Sequence, residues 1–260
     1  VTRTTTVWQN KSYDAGQYGT SVLGDIIGSG RFAFPKSVYA VMDTLKYFIA
    51  NKKNALVVDF FAGSGTTMHA VNLLNSIDNG QRRCIMVTNN EVSADEAKAL
   101  DEKGYKPGDK EWDRLGIARY VTWPRTVCSI KGCNIDGKPL DGNYGCNVEQ
   151  YTEIDGEIIN PETGKKIRGK VYKKEKEPAY PELANLKMSD GFKTNAAFFK
   201  LSFLDKTSVA LGRQFRELLP VLWMKGGAVG KCPALENDNL PNMLILPQNK
   251  MAVLVDERYY

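Results

Sequence analysis

Ala55-Leu56-Val57-Val58-Asp59-Phe60-Phe61-Ala62-Gly63-Ser64-Gly65-Thr66-Thr67 is the stretch on which the reading of this chain turns. The nearly unbroken apolar run Ala55–Phe61 suits a strand buried on both faces, as strands of a parallel sheet are. Gly63 and Gly65 then allow the backbone to turn sharply and to come close to a ligand. A helix follows at once, Thr66 to Ile77, with Met68, Val71, Leu74 and Ile77 at its apolar positions. Its unpaired first-turn amides and the positive end of its dipole point at whatever lies over the turn. Asp59, closing the strand, would attract a cation there. The place suits a ligand that carries both an anionic and a cationic group.

Working outward, Asp78-Asn79-Gly80 turns the chain into a second strand, Cys84-Ile85-Met86-Val87-Thr88. Residues 55–90 thus form one strand–helix–strand crossover of an α/β protein. Upstream, Val38, Val41, Met42, Leu45, Phe48 and Ile49 recur at helical spacing, with Pro35 near the helix start. The first thirty residues, with Gly16, Gly19, Gly24, Gly28 and Gly30, read as a connecting segment. Downstream, helices are predicted at Asp95–Lys103 and from Glu111, with Ala118–Cys128 continuing the latter despite Pro124. Residues 131–181 are rich in Gly, Asn, Asp, Lys and Glu. The alternation in Tyr151–Ile159 and Ile167–Tyr172 predicts hairpins outside the core. In the tail, Phe198–Leu204 reads as a strand, Thr207–Met224 as a helix, and Met243–Leu246 and Ala252–Val255 as short strands. The predicted organisation is 1–130, 131–185 and 186–260.

At 260 residues, 42% hydrophobic and 25% charged, the chain has one large domain or two modest ones and can bury a sizeable core. Wholesale disorder is excluded. A net charge of +5 permits a polyanionic partner without demanding one. One histidine, His69, and five cysteines without a CxxC pair argue against a zinc site and a disulfide framework. His69 itself, on the helix after the glycines, reads as structural. No apolar run reaches the roughly 18–20 residues that span a bilayer, so the reading is a cytoplasmic protein without a membrane partner. The basic stretch from Lys165 to Lys176 has two readings, phosphate contact or solvated hairpin charge.

Rival readings of the glycine turn can be weighed on the residues. A triphosphate loop needs GxxxxGK[ST], which is absent, and the dinucleotide fingerprint GxGxxG fails at its third glycine, where Met68 stands. A plain tight turn in an α/β unit stays open. More specifically, Asp59–Thr67 resembles the cofactor motif D-x-F-x-G-S-G-T-T of amino-directed DNA methyltransferases. Phe34-Pro35-Lys36-Ser37 resembles the F-x-K-P/S motif that precedes it in a permuted class of those enzymes. Arg82–Glu91 resembles the second strand of that class, and its Thr88-Asn89-Asn90-Glu91 ending, with Ile117–Arg125 beyond, is similar to the modification subunits of type III restriction–modification systems.

This resemblance implies a Rossmann-like methyltransferase fold of α/β class, followed by a β-rich excursion and a C-terminal α/β piece. It implies S-adenosylmethionine as cofactor. Asp59 and Phe61 would flank its methionine part, Gly63 and Gly65 would allow close approach, and Thr66 and Thr67 would bind its carboxylate, with Ala62 and Ser64 also among the cofactor-binding residues. Lys36 and Ser37 would close the same end of the pocket, and Phe34 is the further cofactor-binding candidate. Thr88 stands where relatives carry a ribose-binding acid, so Asn89 and Glu91 are the candidates for that contact. The class transfers methyl through a [D/N/S]-P-P-[Y/F/W] motif, and Pro-Pro occurs nowhere in this chain. Fifty-eight residues precede Asp59, too few for that motif, its strands and a recognition region. The expectation is the C-terminal portion of a longer adenine-directed enzyme, inactive by itself, with the N-terminal half of the sheet missing. Its implied partners are DNA through the parent enzyme, the N-terminal catalytic half, a restriction subunit and a second copy of the chain. The bare edge of Ala55–Phe61 would be covered by the N-terminal half, by a second copy of the chain or by the tail, Phe198–Leu204 being the internal candidate. A cytosine amino methyltransferase and a non-enzymatic ligand-binding or assembly module are the alternatives.

Overall fold

A computed structural model of the protein describes residues 7–159, 163–201, 203–210, 214–235 and 240–255. Helices and strands are mixed, and the chain divides into two compact units, 1–196 and 197–260. The first unit holds α1 (Val22–Ile27), α2 (Val38–Ile49), β1 (Leu56–Asp59), α3 (Thr66–Asp78), β2 (Arg83–Met86), α4 (Ala94–Glu102), α5 (Lys110–Leu115), α6 (Trp123–Lys131), β3 (Asn147–Ile159) and β4 (Lys166–Pro178). The second holds α7 (Lys206–Ala210), α8 (Phe215–Lys225), β5 (Met243–Leu246) and β6 (Met251–Leu254). Among the described residues no helix is long and apolar enough to cross a membrane.

β1 and β2 pair in parallel, Leu56 opposite Arg83 through Asp59 opposite Met86, and α3 is their crossover. The ladder runs on past β2, because Val87 N–H donates to Asp59 O at 2.7 Å and Ala62 N–H to Val87 O at 3.1 Å. Along both strands alternate residues are half-buried, while Leu56, Val58, Ile85 and Val87 are exposed. Among the described residues β1 pairs with β2 alone. Its other edge and the apolar outer face of the pair are therefore open, although parallel strands normally have both faces covered.

The core lies on the helical side. α2 and α3 pack through Val38, Met42, Ala70, Leu73 and Leu74, joined by Leu23, Ile26 and Ile27 of α1. A buried clamp ties the sheet to these helices. Arg82, at the entrance to β2, binds Asp78 at the end of α3 through two 2.9 Å contacts and donates to the carbonyls of Ile49 and Ala50 at the end of α2. One guanidinium thereby caps the C-terminus of α2 and pairs with the carboxylate at the end of α3.

The run Ala55–Phe61 is not a strand buried on both faces: only Leu56–Asp59 is strand, and one of its faces is exposed. Three other expectations for the first unit are corrected. The segment before residue 30 is not a mere connection: a π-helical turn, Gly16–Ser21, leads into α1. Its glycines serve packing and termination. A side chain on Gly19 would collide with the carbonyl of Pro35, while Gly28 at φ 89° ends the helix. The helix from Glu111 does not run unbroken, since α5 stops at extended Gly116 and a second π-helical turn, Ala118–Thr122, restarts it into α6. Pro124 sits in the first turn of α6, where a missing N–H is tolerated. Finally, 131–181 is not all excursion. Leu140, Tyr144, Cys146 and Tyr180 are buried in the core, Tyr39 stacking on Tyr180 at 4.8 Å and donating from its hydroxyl to Tyr144 O at 3.0 Å.

Between them, β3 and β4 form the expected hairpin, longer than the alternation indicated. Its basic residues are laced to carboxylates: Lys166 to Glu157, Lys170 to Glu153 and Asp155, and Lys174 to Glu149. These pairs favour the solvated-hairpin reading of that stretch. In the second unit, β5 and β6 form an antiparallel hairpin and α8 buries Phe215, Leu219 and Trp223. The described part of Phe198–Leu204 forms no strand, with Leu201 97% and Phe203 94% exposed. Ser202 and residues 211–213 lie outside the described residues. An apolar run specifies a strand only when a partner edge is there to receive it.

Candidate cofactor site

The turn between β1 and α3 is built from its own side chains. Asp59 accepts from Phe61 N–H at 3.0 Å with one carboxylate oxygen and from the Thr67 hydroxyl at 2.6 Å with the other. The end of the strand is thus tied to the first turn of the helix across the glycines. Gly63 at φ 48° and Gly65 at φ 77° occupy left-handed conformations that side chains resist. Gly65 N–H donates to Ala62 O at 2.7 Å and stands as N-cap of α3 without any side-chain cap. The first-turn amides of α3 are therefore left for an anion.

Ala62, Ser64, Gly65 and Thr66 are buried, Asp59, Gly63 and Thr67 are half-buried, and Phe61 projects 93% exposed. The Thr67 hydroxyl serves Asp59. That of Thr66 lies 3.0 Å from Ser64 Oγ. Both threonines accordingly present backbone N–H groups to the turn, with their hydroxyls engaged inside it.

The upstream segment reaches the turn through Phe32, whose ring limits the space at Gly63: a Cβ there would lie 3.3 Å from Cζ. Phe34 and Lys36 beyond it are exposed. Ser37 is buried and caps α2, donating to Ser12 O at 2.7 Å and accepting from Ala40 N–H. Because β1 and β2 are parallel, the residues after β2 leave the sheet at the same end as the glycine turn, where open α/β sheets bind their ligands. Asn89 and Glu91 stand there exposed, joined by a 3.1 Å bond from Asn89 Nδ2 to Glu91 Oε2. Ser93 caps α4 by accepting from Glu96 N–H, so the Glu91 carboxylate is not spent on that cap. Among the described residues no group of His, Cys, Asp and Glu is arranged to hold a metal ion.

No protein-family model matches the chain. Three curated proteins are similar over part of it. The type II methyltransferase M.KpnI of Klebsiella pneumoniae is 39% identical over 85 residues, 33% of this chain and 20% of its own. The Mod subunit of the type III restriction-modification enzyme EcoPI, from Escherichia phage P1, is 41% identical over 86 residues, 33% of this chain and 13% of its own. The StyLTI Mod subunit of Salmonella typhimurium is 36% identical over 131 residues, 50% of this chain and 18% of its own. Over these stretches the chain is similar to restriction–modification methyltransferases. It spans one fifth or less of the length of the relatives it matches.

In this methyltransferase-like chain the structure adds residues that sequence reasoning passed over. Thr122 donates to Gly63 O at 2.5 Å and crowds Gly65, where a Cβ would lie 3.2 Å from its methyl. Arg125, one turn further on, is wholly buried and donates from Nη1 to Ser64 O, Ser64 Oγ and Thr66 Oγ1 at 3.3, 3.2 and 2.8 Å. Both lie in Ile117–Arg125, and their spacing of three places them on one helix face. A threonine and an arginine so spaced, in a stretch similar to the modification subunits, were the available signal. His69 lies behind the turn, buried, its Nε2 2.9 Å from the Tyr144 hydroxyl. Burial first, and the charge of Arg125 second, hold its pKa well below the usual histidine value. The imidazole is a neutral part of the core.

Proposed function

We propose that the chain is the cofactor-binding part of a DNA amino methyltransferase of restriction–modification type, with S-adenosylmethionine at the turn between β1 and α3. One observation carries the reading: a parallel strand ends in a carboxylate, two left-handed glycines follow, and a helix opens without a side-chain cap. The residues fit the group. Amides of the first turn of α3 suit its carboxylate and Asp59 suits its ammonium. The exposed rings of Phe34 and Phe61 offer apolar surface, Lys36 a cation, and Asn89 with Glu91 acceptors for the ribose hydroxyls. S-adenosylmethionine supplies the methyl group of the reaction. The chain binds and orients it.

The finer reading is a Rossmann-like methyltransferase domain acting on adenine in DNA, in the cytoplasm, supported by the similarity to type III Mod subunits. The base-binding half, with its Pro-Pro-aromatic motif, is assigned to the N-terminal part of the parent enzyme. The open edge of β1 and the apolar face formed by Leu56, Val58, Ile85 and Val87 support a further layer there. A restriction subunit and a second copy of the chain complete the proposed partners. The purified chain, lacking that motif, does not methylate duplex DNA by itself. Calorimetry with S-adenosylhomocysteine tests the site: the chain binds it, and an Asp59→Ala, Gly65→Val double variant does not. Wild-type affinity in a folded double variant, or labelled methyl incorporated into DNA by the chain alone, would contradict this assignment.

A further inference from the structure

Among the described residues the buried arginine behind the turn has no ion-pair partner. Arg125 is fully buried, and the oxygens it reaches belong to Ser64 and Thr66, all of them neutral. Its Nε and Nη2 are buried without a hydrogen-bond partner. A guanidinium removed from water is normally paired, because desolvation of the charge is otherwise uncompensated. Here the partner residue Thr66 opens α3, so the positive end of the helix dipole lies at the same place. Two positive features converge at Thr66, while the one carboxylate described at this turn, Asp59, is engaged by Thr67 and the Phe61 amide and forms no ion pair with Arg125.

We propose that Arg125 is a positioning residue for the carboxylate of the cofactor, acting through Ser64 and Thr66 from behind the turn. The inference rests on the cofactor reading given above. Through Nη1 the guanidinium fixes Ser64 and Thr66 on either side of Gly65, and so fixes the direction of the first-turn amides. Its charge, in a low-dielectric interior, adds to the helix dipole a field that favours an anion over the turn. It remains a cation at neutral pH although burial brings its pKa down to about 10. It does not touch the ligand. An anionic group at the amides supplies the charge that the interior lacks.

The test compares two probes on the full 260-residue chain, S-adenosylhomocysteine, which carries the carboxylate, and methylthioadenosine, which lacks the amino-acid end. In Arg125→Met, affinity for the first falls about tenfold while the second changes by less than about twofold, as expected for loss of a single buried charge. Arg125→Lys, which keeps the charge, recovers most of the loss. A merely structural arginine would lower both affinities together, and that result overturns the proposal. If Arg125→Met does not give a cooperative melt, Thr66→Ala decides. It removes the 2.8 Å contact and keeps a good helix former. The same selective loss is expected, and an unchanged ratio of the two affinities overturns the proposal. A wild-type chain that binds neither probe overturns the cofactor reading as well, whereas binding with an unchanged ratio overturns only the role of Arg125.

Discussion

Thr67 Oγ1 donates to Asp59 Oδ2 at 2.6 Å, so the end of β1 and the first turn of α3 are held by one charge-assisted hydrogen bond across the glycine turn. The side chain proposed to meet the cofactor ammonium is therefore oriented by the helix proposed to meet its carboxylate. Thr67→Val removes this bond and leaves Asp59 with the Phe61 amide alone. Affinity for S-adenosylhomocysteine should fall about tenfold, in line with roughly 1.5 kcal/mol for a bond to a charged group. Thr67→Ser should retain it. Calorimetry on both variants reads the difference.

Three of the positive-φ glycines, Gly30, Gly65 and Gly132, form a graded series. Gly30 at φ 81° has nothing within 4 Å of an added Cβ, so Gly30→Ala shows conformational strain alone, about 1 kcal/mol. Gly65→Ala adds the 3.2 Å approach to Thr122 and should cost about 1–2 kcal/mol. At Gly132 a Cβ would collide with the Ser189 carbonyl, backbone that cannot step aside, and the cost should be the largest. Urea unfolding of the three variants gives the order, and a Gly30 effect equal to that at Gly132 would contradict it.

Arg82 and Asp78 give a stability that depends on pH. The side-chain bond from Arg82 holds the Asp78 carboxyl below the usual carboxylate range. A depressed folded-state pKa means that the unfolded chain takes up the proton first as pH falls. The contribution is complete above the unfolded value of about 4 and is lost as pH drops through the folded value. Asp78→Asn should therefore destabilise the protein by about 3 kcal/mol at pH 7, with the gap to wild type closing on acidification below about pH 4. Urea titrations at the two pH values measure it.

His69 carries the opposite charge type with the same sign of linkage. Its folded pKa is depressed by burial, so the unfolded state binds the proton first, and stability falls as pH drops below about 6.5. The slope should reach at most about 1.4 kcal/mol per pH unit and vanish in His69→Gln. The chain contains one histidine, so its imidazole proton resonance can be followed directly by NMR. No titration shift should appear while the protein remains folded. A resonance titrating near the ordinary value would show the ring reaching solvent.

Much of the site was legible because a few residues impose it. The run before Asp59, the paired glycines and the helical spacing after them admit one local solution, and β1, the turn and α3 form there. The spacing of Thr122 and Arg125 was visible but their place was not, since a charged side chain such as Arg125 is assigned to solvent when read in isolation, and only tertiary packing puts both behind the turn. Leu23, Ile26 and Ile27 were masked by the glycines around them, whose purpose is close packing at Gly19 and termination at Gly28. Tyr144 and Tyr180 belong to the core although their surroundings are rich in turn residues, because they flank the two roots of the β3–β4 hairpin. Phe198–Leu204 has strand composition, yet no partner edge receives its described residues.

The turn between Asp59 and Thr67 is proposed to receive the amino-acid end of S-adenosylmethionine. A crystal structure of the chain grown with S-adenosylhomocysteine tests it most directly. The ligand carboxylate should lie on the first-turn amides of α3 and its ammonium beside Asp59. A ligand bound elsewhere on the chain, or no ligand at this turn at saturating concentration, would contradict it.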